Sequence, residues 1–187
     1  ISESSMEKAL KAFSEFSNII KSYKCNKVLC VGTSALRDAP NANVLISLLR
    51  KKLGINLKVI DGKEEATFGA IAAKNLLHNI DECVTIDIGG GSTELARISK
   101  GKIIDTLSLD IGTVRLKELF FDKKNLNKLP KFLEQVTKQI DERFKCQNII
   151  AIGGSLRAIS SAIMSKNLYP LSSLHGFCYK LSDEQAY

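Results

Sequence analysis

The chain has 187 residues, of which 44% are hydrophobic, 25% charged and 6% aromatic, and it carries a net charge of +7. That length and apolar content suit one good core, or two small cores meeting at a cleft, and no stretch approaches the roughly 18 to 20 apolar residues a membrane span needs. The positive charge makes nucleic acid the first partner to consider, yet no basic helix stripe or aromatic-basic interleaving is present, so no specific nucleic-acid partner is expected; the charge reads as a solvated lysine-rich surface or an attraction for a polyanionic substrate.

Five cysteines stand at Cys25, Cys30, Cys83, Cys146 and Cys178. The count is odd and there is no C-x-x-C pair; Cys30, Cys83 and Cys146, in or beside apolar runs, read as small buried hydrophobes in a reducing compartment. The chain begins at Ile1 rather than at a methionine, and no basic-then-apolar segment reads as a signal peptide. A cytoplasmic location is the expectation.

Elements alternate along the first part of the chain. Met6, Ala9, Leu10, Phe13, Ile19 and Ile20 recur at helical spacing over residues 4–22. Residues 27–32 (KVLCVG) form a short buried strand that ends at a glycine. Asn41 caps a second helix and Gly54 terminates it. Residues 57–61 (LKVID) are the next strand, and a helix runs over 63–77. This order predicts a parallel sheet with covering helices. The pattern then changes. Residues 83–87 (CVTID) are a strand running into Gly89-Gly90-Gly91, 93–98 a second strand, Lys100-Gly101 a turn, and 102–109 a third strand. Strands joined so tightly are antiparallel neighbours. Helices are expected over 113–121 and 130–145. A buried strand at 148–152 enters a helix through Gly153-Gly154-Ser155. Ser182 with Gln185 makes a capping box for a helix that would continue past Tyr187. The change of connectivity near Asn79–Glu82 divides the chain into domains 1–79 and 80–187.

Several segments carry the chemistry. In Asp87-Ile88-Gly89-Gly90-Gly91-Ser92-Thr93-Glu94, three consecutive glycines weaken both flanking strands by backbone entropy, which a protein tolerates where another group must approach the backbone. Unhindered N–H groups there form an anion nest, and Ser92 and Thr93 add hydroxyl donors. Asp87 is placed to hold a hard cation through oxygen, with Glu94 in reach of the same ion. A plain hairpin is the alternative, but it needs two turn residues and not three glycines. In Asp61-Gly62-Lys63-Glu64-Glu65-Ala66, Glu64 and Glu65 fall in the first turn of a helix. They either complement the helix dipole or supply a carboxylate that deprotonates a water, and spacing alone does not choose. Arg37, in the loop after the first strand, either holds a phosphate oxygen bidentately or belongs to a surface loop with Asp38. Gly153-Gly154-Ser155 is a second anion site at a helix N-terminus or a tight strand-helix junction. In Asp110-Ile111-Gly112-Thr113-Val114-Arg115, Gly112 permits a turn, and a solvent-facing or structural Arg115 is slightly favoured. His78 and His175 stand apart, and neither a His-based metal site nor a Ser/His/Asp constellation is expected.

Taken together, GTSALRDAPN (32–41), VIDGKEEATFGA (59–70), TIDIGGGSTEL (85–95), LSLDIGTVRL (107–116) and AIGGSLRAI (151–159) resemble the exopolyphosphatase/guanosine pentaphosphatase (Ppx/GppA) family. DIGGGST is shared with the wider actin-like ATPase and sugar-kinase superfamily; the STE extension and the GxxEEA segment are more specific. The resemblance implies an α/β, actin-like (ribonuclease H-like) ATPase fold of two related domains flanking a cleft, here truncated at both ends. It implies Mg²⁺-assisted hydrolysis of the terminal phosphoanhydride of inorganic polyphosphate or pppGpp, the latter a stringent-response alarmone. Glu65 would be the base that activates water, and Asp87 and Glu94 would serve metal and catalysis. Gly89, Gly90 and Gly91 would cradle phosphate, and Arg37 would contact it. A homodimer is the family expectation for the full-length parent. The family's first phosphate motif, a DxGSNS-type strand and loop, would lie before Ile1, and without it this piece alone is expected to turn over poorly. An actin-like ATPase or sugar kinase shares DIGGGST but not the EEA segment. The non-enzymatic alternative is a pppGpp/ppGpp-binding regulatory module.

Overall fold

A computed structural model describes residues 1–77, 81–180 and 182. His78, Asn79 at the expected domain boundary, and the Gln185 half of the capping box lie outside those residues. The chain divides into two compact units, Ile1–Asp61 and Gly62–Tyr187.

The first unit begins with α1 (Glu3–Ser22), whose N-cap Ser2 accepts a hydrogen bond from Ser5 N–H and whose first turn carries Glu3. Then come β1 (Cys30–Gly32), α2 (Ser34–Arg37), α3 (Ala42–Leu53) and β2 (Leu57–Val59). β1 and β2 pair in parallel, with Cys30 opposite Leu57 and Gly32 opposite Val59. Met6, Leu45, Leu49 and Ile55 form the core that joins α1 to α3. Gly54 ends α3 in the left-handed conformation at φ 67°, as its position after the last apolar residue predicts. Asn41 precedes α3 but does not cap it with its side chain. Instead its Oδ1 accepts from the Ile1 amine at 2.8 Å and its Nδ2 donates to Ile1 O at 2.8 Å, which holds the side chain away from the helix amides. The strand expected over 27–32 is shorter and more exposed than its apolar sequence suggests: Leu29 is 82% and Val31 52% accessible. Among the described residues β1 pairs with β2 alone, and a two-stranded sheet leaves much of its outer surface uncovered.

The second unit starts with α4 (Gly62–Leu76), followed by the hairpin-linked strands β3 (Cys83–Ile88), β4 (Thr93–Ser99) and β5 (Lys102–Leu109). Next come α5 (Thr113–Leu116), which continues as a π-helical turn over Lys117–Phe121, then α6 (Leu129–Thr137), β6 (Ile149–Ile152) and α7 (Gly153–Lys166). The sheet order is β5-β4-β3-β6, antiparallel except for the parallel β3–β6 pair. Lys100 and Gly101 both adopt positive φ (49° and 67°), the conformation of a type I′ hairpin turn between β4 and β5.

Side chains alternate across the sheet, so each face has its own cover. On one face, α4 lies along β3, β4 and β5. Its buried residues are Ala66, Ala70 and Ala73, a narrow stripe of small side chains at helical spacing. Ala70 packs with Cys83, Ala96 and Ile98 of the sheet. On the other face, Val84, Leu95 and Leu109 meet Val136 of α6 and Phe144.

The compact units divide before α4, which the alanine stripe seats on the four-stranded sheet. Two expectations change here. The helix expected over 130–145 ends at Thr137, with a separate 3-10 turn at Glu142–Phe144. The strand at 148–152 is an edge strand whose Ile149 is 54% exposed, not a fully buried one.

Candidate active site

The antiparallel register of β3 and β4 sets Asp87 directly opposite Glu94, and the β4–β5 register sets Glu94 directly opposite Ser108. These three side chains therefore form a row across one sheet face, with Cβ atoms about 4.5–5.5 Å apart from strand to strand. The same alternation places Cys83, Ala96 and Ile98 on that face, the side that α4 covers. The row lies at the end of the sheet where the glycine loop joins β3 to β4.

Glu94 is 4% exposed. Its Oε1 accepts from Ser108 Oγ at 2.9 Å, and Ser92 also donates to its carboxylate. Burial pushes the Glu94 carboxyl above its ordinary value; the two serine hydrogen bonds pull it back, while the charges of Glu65 and Asp87 add to the rise. Asp87 is raised for the same leading reason, burial, and next by the charge of Glu65. Glu65 thus lies within electrostatic reach of both, projecting from the first turn of α4, whose leading residue Gly62 stands against the Ser108 side chain. Three acidic groups from three elements share one site with their charges in opposition.

The glycine loop closes one side of this site. Gly89 N–H donates to Ser92 O at 3.0 Å, and the carbonyls of Gly89, Gly90 and Gly91 all accept from the segment 113–115. Gly112 makes that approach possible, since a Cβ there would run into Gly90 O. On a neighbouring side, α7 begins against Asp87. Gly153 sits at φ 87°, and a Cβ on it would collide with Asp87 Oδ1. Ser155 Oγ donates to Ile88 O at 3.0 Å. The α7 N-terminus has no side-chain cap and no acidic residue in its first turn, and a Cβ on Gly154 would meet open space.

Of the sequence-predicted residues, the structure brings together Glu65, Asp87, Glu94, Gly89, Gly90, Gly91, Ser92, Gly153, Gly154 and Ser155. Three of the predicted hydroxyls make bonds other than those expected, that of Ser92 to Glu94 among them. Thr93 alternates onto the opposite sheet face, where its Oγ1 donates to Ile111 O at 2.7 Å. The Ser155 hydroxyl is a strut to the backbone of β3. Arg37 belongs to the first unit, where its Nη1 donates to Ile60 O at 3.0 Å.

Comparison with known proteins shows the family. A model of the Ppx/GppA phosphatase family matches residues 1–186. The chain belongs to that family. Among curated Ppx/GppA-related proteins, it is 27% identical over 189 residues to a bifunctional 3-dehydroquinate synthase/phosphatase of Fusobacterium nucleatum, covering 94% of this chain and 28% of that protein. It is 31% identical over 117 residues to exopolyphosphatase 1 of Mycobacterium leprae, covering 62% of this chain and 34% of that one. The crystal structure of an exopolyphosphatase from Cytophaga hutchinsonii superposes with a TM-score of 0.80 at 25% identity, covering 90% of this chain and 57% of that one. The chain thus spans about a third or less of these curated relatives and little more than half of the solved Ppx/GppA chain. The mixed α/β architecture of this part of the family is shared.

Ser108 is a site residue that the sequence does not announce, because a register shift between Arg97 and Ile98 brings it opposite Glu94. The 110–115 segment is singled out in the sequence with a solvent-facing or structural Arg115 slightly favoured, and Arg115 Nε bonds the Gly91 carbonyl.

Proposed function

We propose that the chain forms part of a phosphohydrolase that removes the terminal phosphate from inorganic polyphosphate or pppGpp. The observation that carries this reading is the meeting of Glu65, Asp87 and Glu94 beside a glycine loop whose carbonyls are tied back. The exopolyphosphatase relatives support the choice of phosphoanhydride as substrate class.

In this reading the loop amides of residues 89–91 and the α7 N-terminus at Gly153, Gly154 and Ser155 hold the oxygens of the terminal phosphate. Glu65 orients a water and takes its proton as the water oxygen bonds to the terminal phosphorus. The bond from that phosphorus to the bridging oxygen breaks, and the shortened chain leaves with the electron pair. Orthophosphate is the second product. Ser108 and Ser92 fix the Glu94 carboxylate by hydrogen bonds, and Gly153 leaves room for the Asp87 carboxylate.

The donor chemistry fits Mg²⁺. Among the described residues no cluster of three or more acidic, His or Cys ligands forms a ready-made metal cage. Yet Mg²⁺ is commonly held by one or two carboxylates together with substrate phosphate oxygens and waters. Glu94 is buried and Asp87 half-buried, and burial together with the neighbouring acidic charges raises the cost of ionising both, which a hard dication would relieve. When bound, Mg²⁺ would neutralise charge on the phosphate oxygens. Arg37 is proposed to approach the phosphate in the full-length protein, a cytoplasmic homodimer with a cleft between two related domains. The five free thiols are consistent with a reducing compartment.

The test is orthophosphate release by the full-length protein from long-chain polyphosphate and from pppGpp, with Mg²⁺ and with EDTA. Release that needs Mg²⁺ is expected, and the faster substrate names the activity. No release from either substrate would overturn the hydrolase reading in favour of a pppGpp/ppGpp-binding module.

A further inference from the structure

We propose that Arg115 is the positioning residue of the glycine loop and acts through its Nε–H, not through its charge. The inference rests on the phosphate-binding reading of that loop and adds a residue that reading did not include.

The loop's three carbonyls are all engaged from one side. Thr113 N–H donates to Gly89 O at 3.0 Å, and Val114 N–H and Arg115 N–H both donate to Gly90 O, at 2.9 and 3.0 Å. Among the described residues no backbone N–H from this segment reaches Gly91 O; it accepts from Arg115 Nε at 2.6 Å. In a trans peptide the N–H of the next residue points opposite to the preceding C=O. Every described peptide bond is trans. Binding the carbonyls of residues 89, 90 and 91 therefore aims the amides of Gly90, Gly91 and Ser92 away from the 112–115 segment, all to the same side. Three amides held on one side in this way can serve an anion nest, and glycine would otherwise leave their directions free.

The first two peptide planes are set by backbone bonds that any residue at 113–115 would supply. The third, between Gly91 and Ser92, is set by a side chain. It is also the plane next to Ser92, whose hydroxyl donates to Glu94. Arg115 is half-buried, so its bond to Gly91 O is partly sheltered from competing water. An arginine that merely attracted anions would be expected to turn its guanidinium outward; here the donor nearest the chain is spent on the loop.

Two substitutions separate the donor from the charge. Glutamine places its Nε2–H at the same bond distance from the backbone as arginine Nε, but carries no charge. Lysine keeps the charge and puts a methylene there. The probe is methylenediphosphonate, a non-hydrolysable P–C–P analogue of a terminal phosphoanhydride, titrated with Mg²⁺ into the full-length protein by calorimetry. The expected result is that R115Q binds within about threefold of wild type and R115K about tenfold or more weaker, each melting within a few degrees of wild type. The reverse order would show a charge role and overturn the proposal. Equal binding by all three proteins would overturn it too, as would equal loss in both variants. If R115K does not fold, R115Q still decides, because a tenfold loss there contradicts an Nε role. No binding by wild type would instead sink the phosphate-binding reading, and this inference with it.

Discussion

Glu94 shows how a single residue trades stability for chemistry. Its carboxyl is 4% exposed and its pKa is raised mainly by burial, so the fold holds the proton more tightly than the unfolded chain does. Stability from this group is therefore fully present below the ordinary Glu pKa of 4.5 and is lost as pH rises through the higher folded value. Glu94→Gln keeps an acceptor for Ser108 and removes the buried charge. In EDTA its melting temperature is expected to exceed wild type at pH 8 by roughly 2–4 °C, and the difference is expected to vanish at about pH 4. A variant less stable than wild type at pH 8 would contradict the account of burial as the cause. Asp87 and Glu94 were legible as candidate site residues because three glycines between acids have few structural uses. Spacing alone did not say which of Glu64 and Glu65 faced the site; only the family resemblance named Glu65. That depends on how α4 is rotated on the sheet, and so on the buried stripe of Ala66, Ala70 and Ala73.

At the scale of elements, most strands and helices declared themselves through glycine punctuation and apolar runs. The hairpin β4–β5 is an instructive exception. The two-residue turn Lys100-Gly101 sets Ser99 opposite Lys102, and continuing that register would place Leu107 opposite Glu94. The irregularity between Arg97 and Ile98 advances the pairing by one and brings Ser108 there instead. No residue in the strand announces that shift. The helix α4 carries the second prediction. Ala70 is fully buried between α4 and the sheet, so Ala70→Leu would push the helix off the sheet and carry Glu65 with it. Unfolding in urea should show a loss of about 1–3 kcal/mol, and phosphate release should fall further than the folded fraction does. The segment leading into α5 carries a third. In Gly112→Ala the new Cβ would strike Gly90 O and displace the glycine loop. Calorimetry with methylenediphosphonate should then show weakened binding, and unchanged affinity would mean that the loop does not depend on this contact.

For the molecule as a whole, a net charge of +7 bears on encounter with a polyanion rather than on the fold, and in the proposed reading that polyanion is the substrate. Association of long-chain polyphosphate with the full-length protein, followed by stopped flow, is expected to slow by roughly tenfold or more from low to physiological salt. A rate insensitive to salt would remove the lysine-rich surface from the account. The family was legible from the order of five short segments, because glycine loops and their acids are spaced by the sheet that carries them. The compact units divide before α4, which packs on the sheet that follows it in sequence. The most direct test of the site is steady-state phosphate release by the full-length protein against its Glu65→Gln variant, on the better of polyphosphate and pppGpp. The account predicts that kcat falls about 100-fold or more with KM little changed, as expected for loss of a general base. A variant that releases phosphate as fast as wild type would contradict the role of Glu65 and the mechanism built on it.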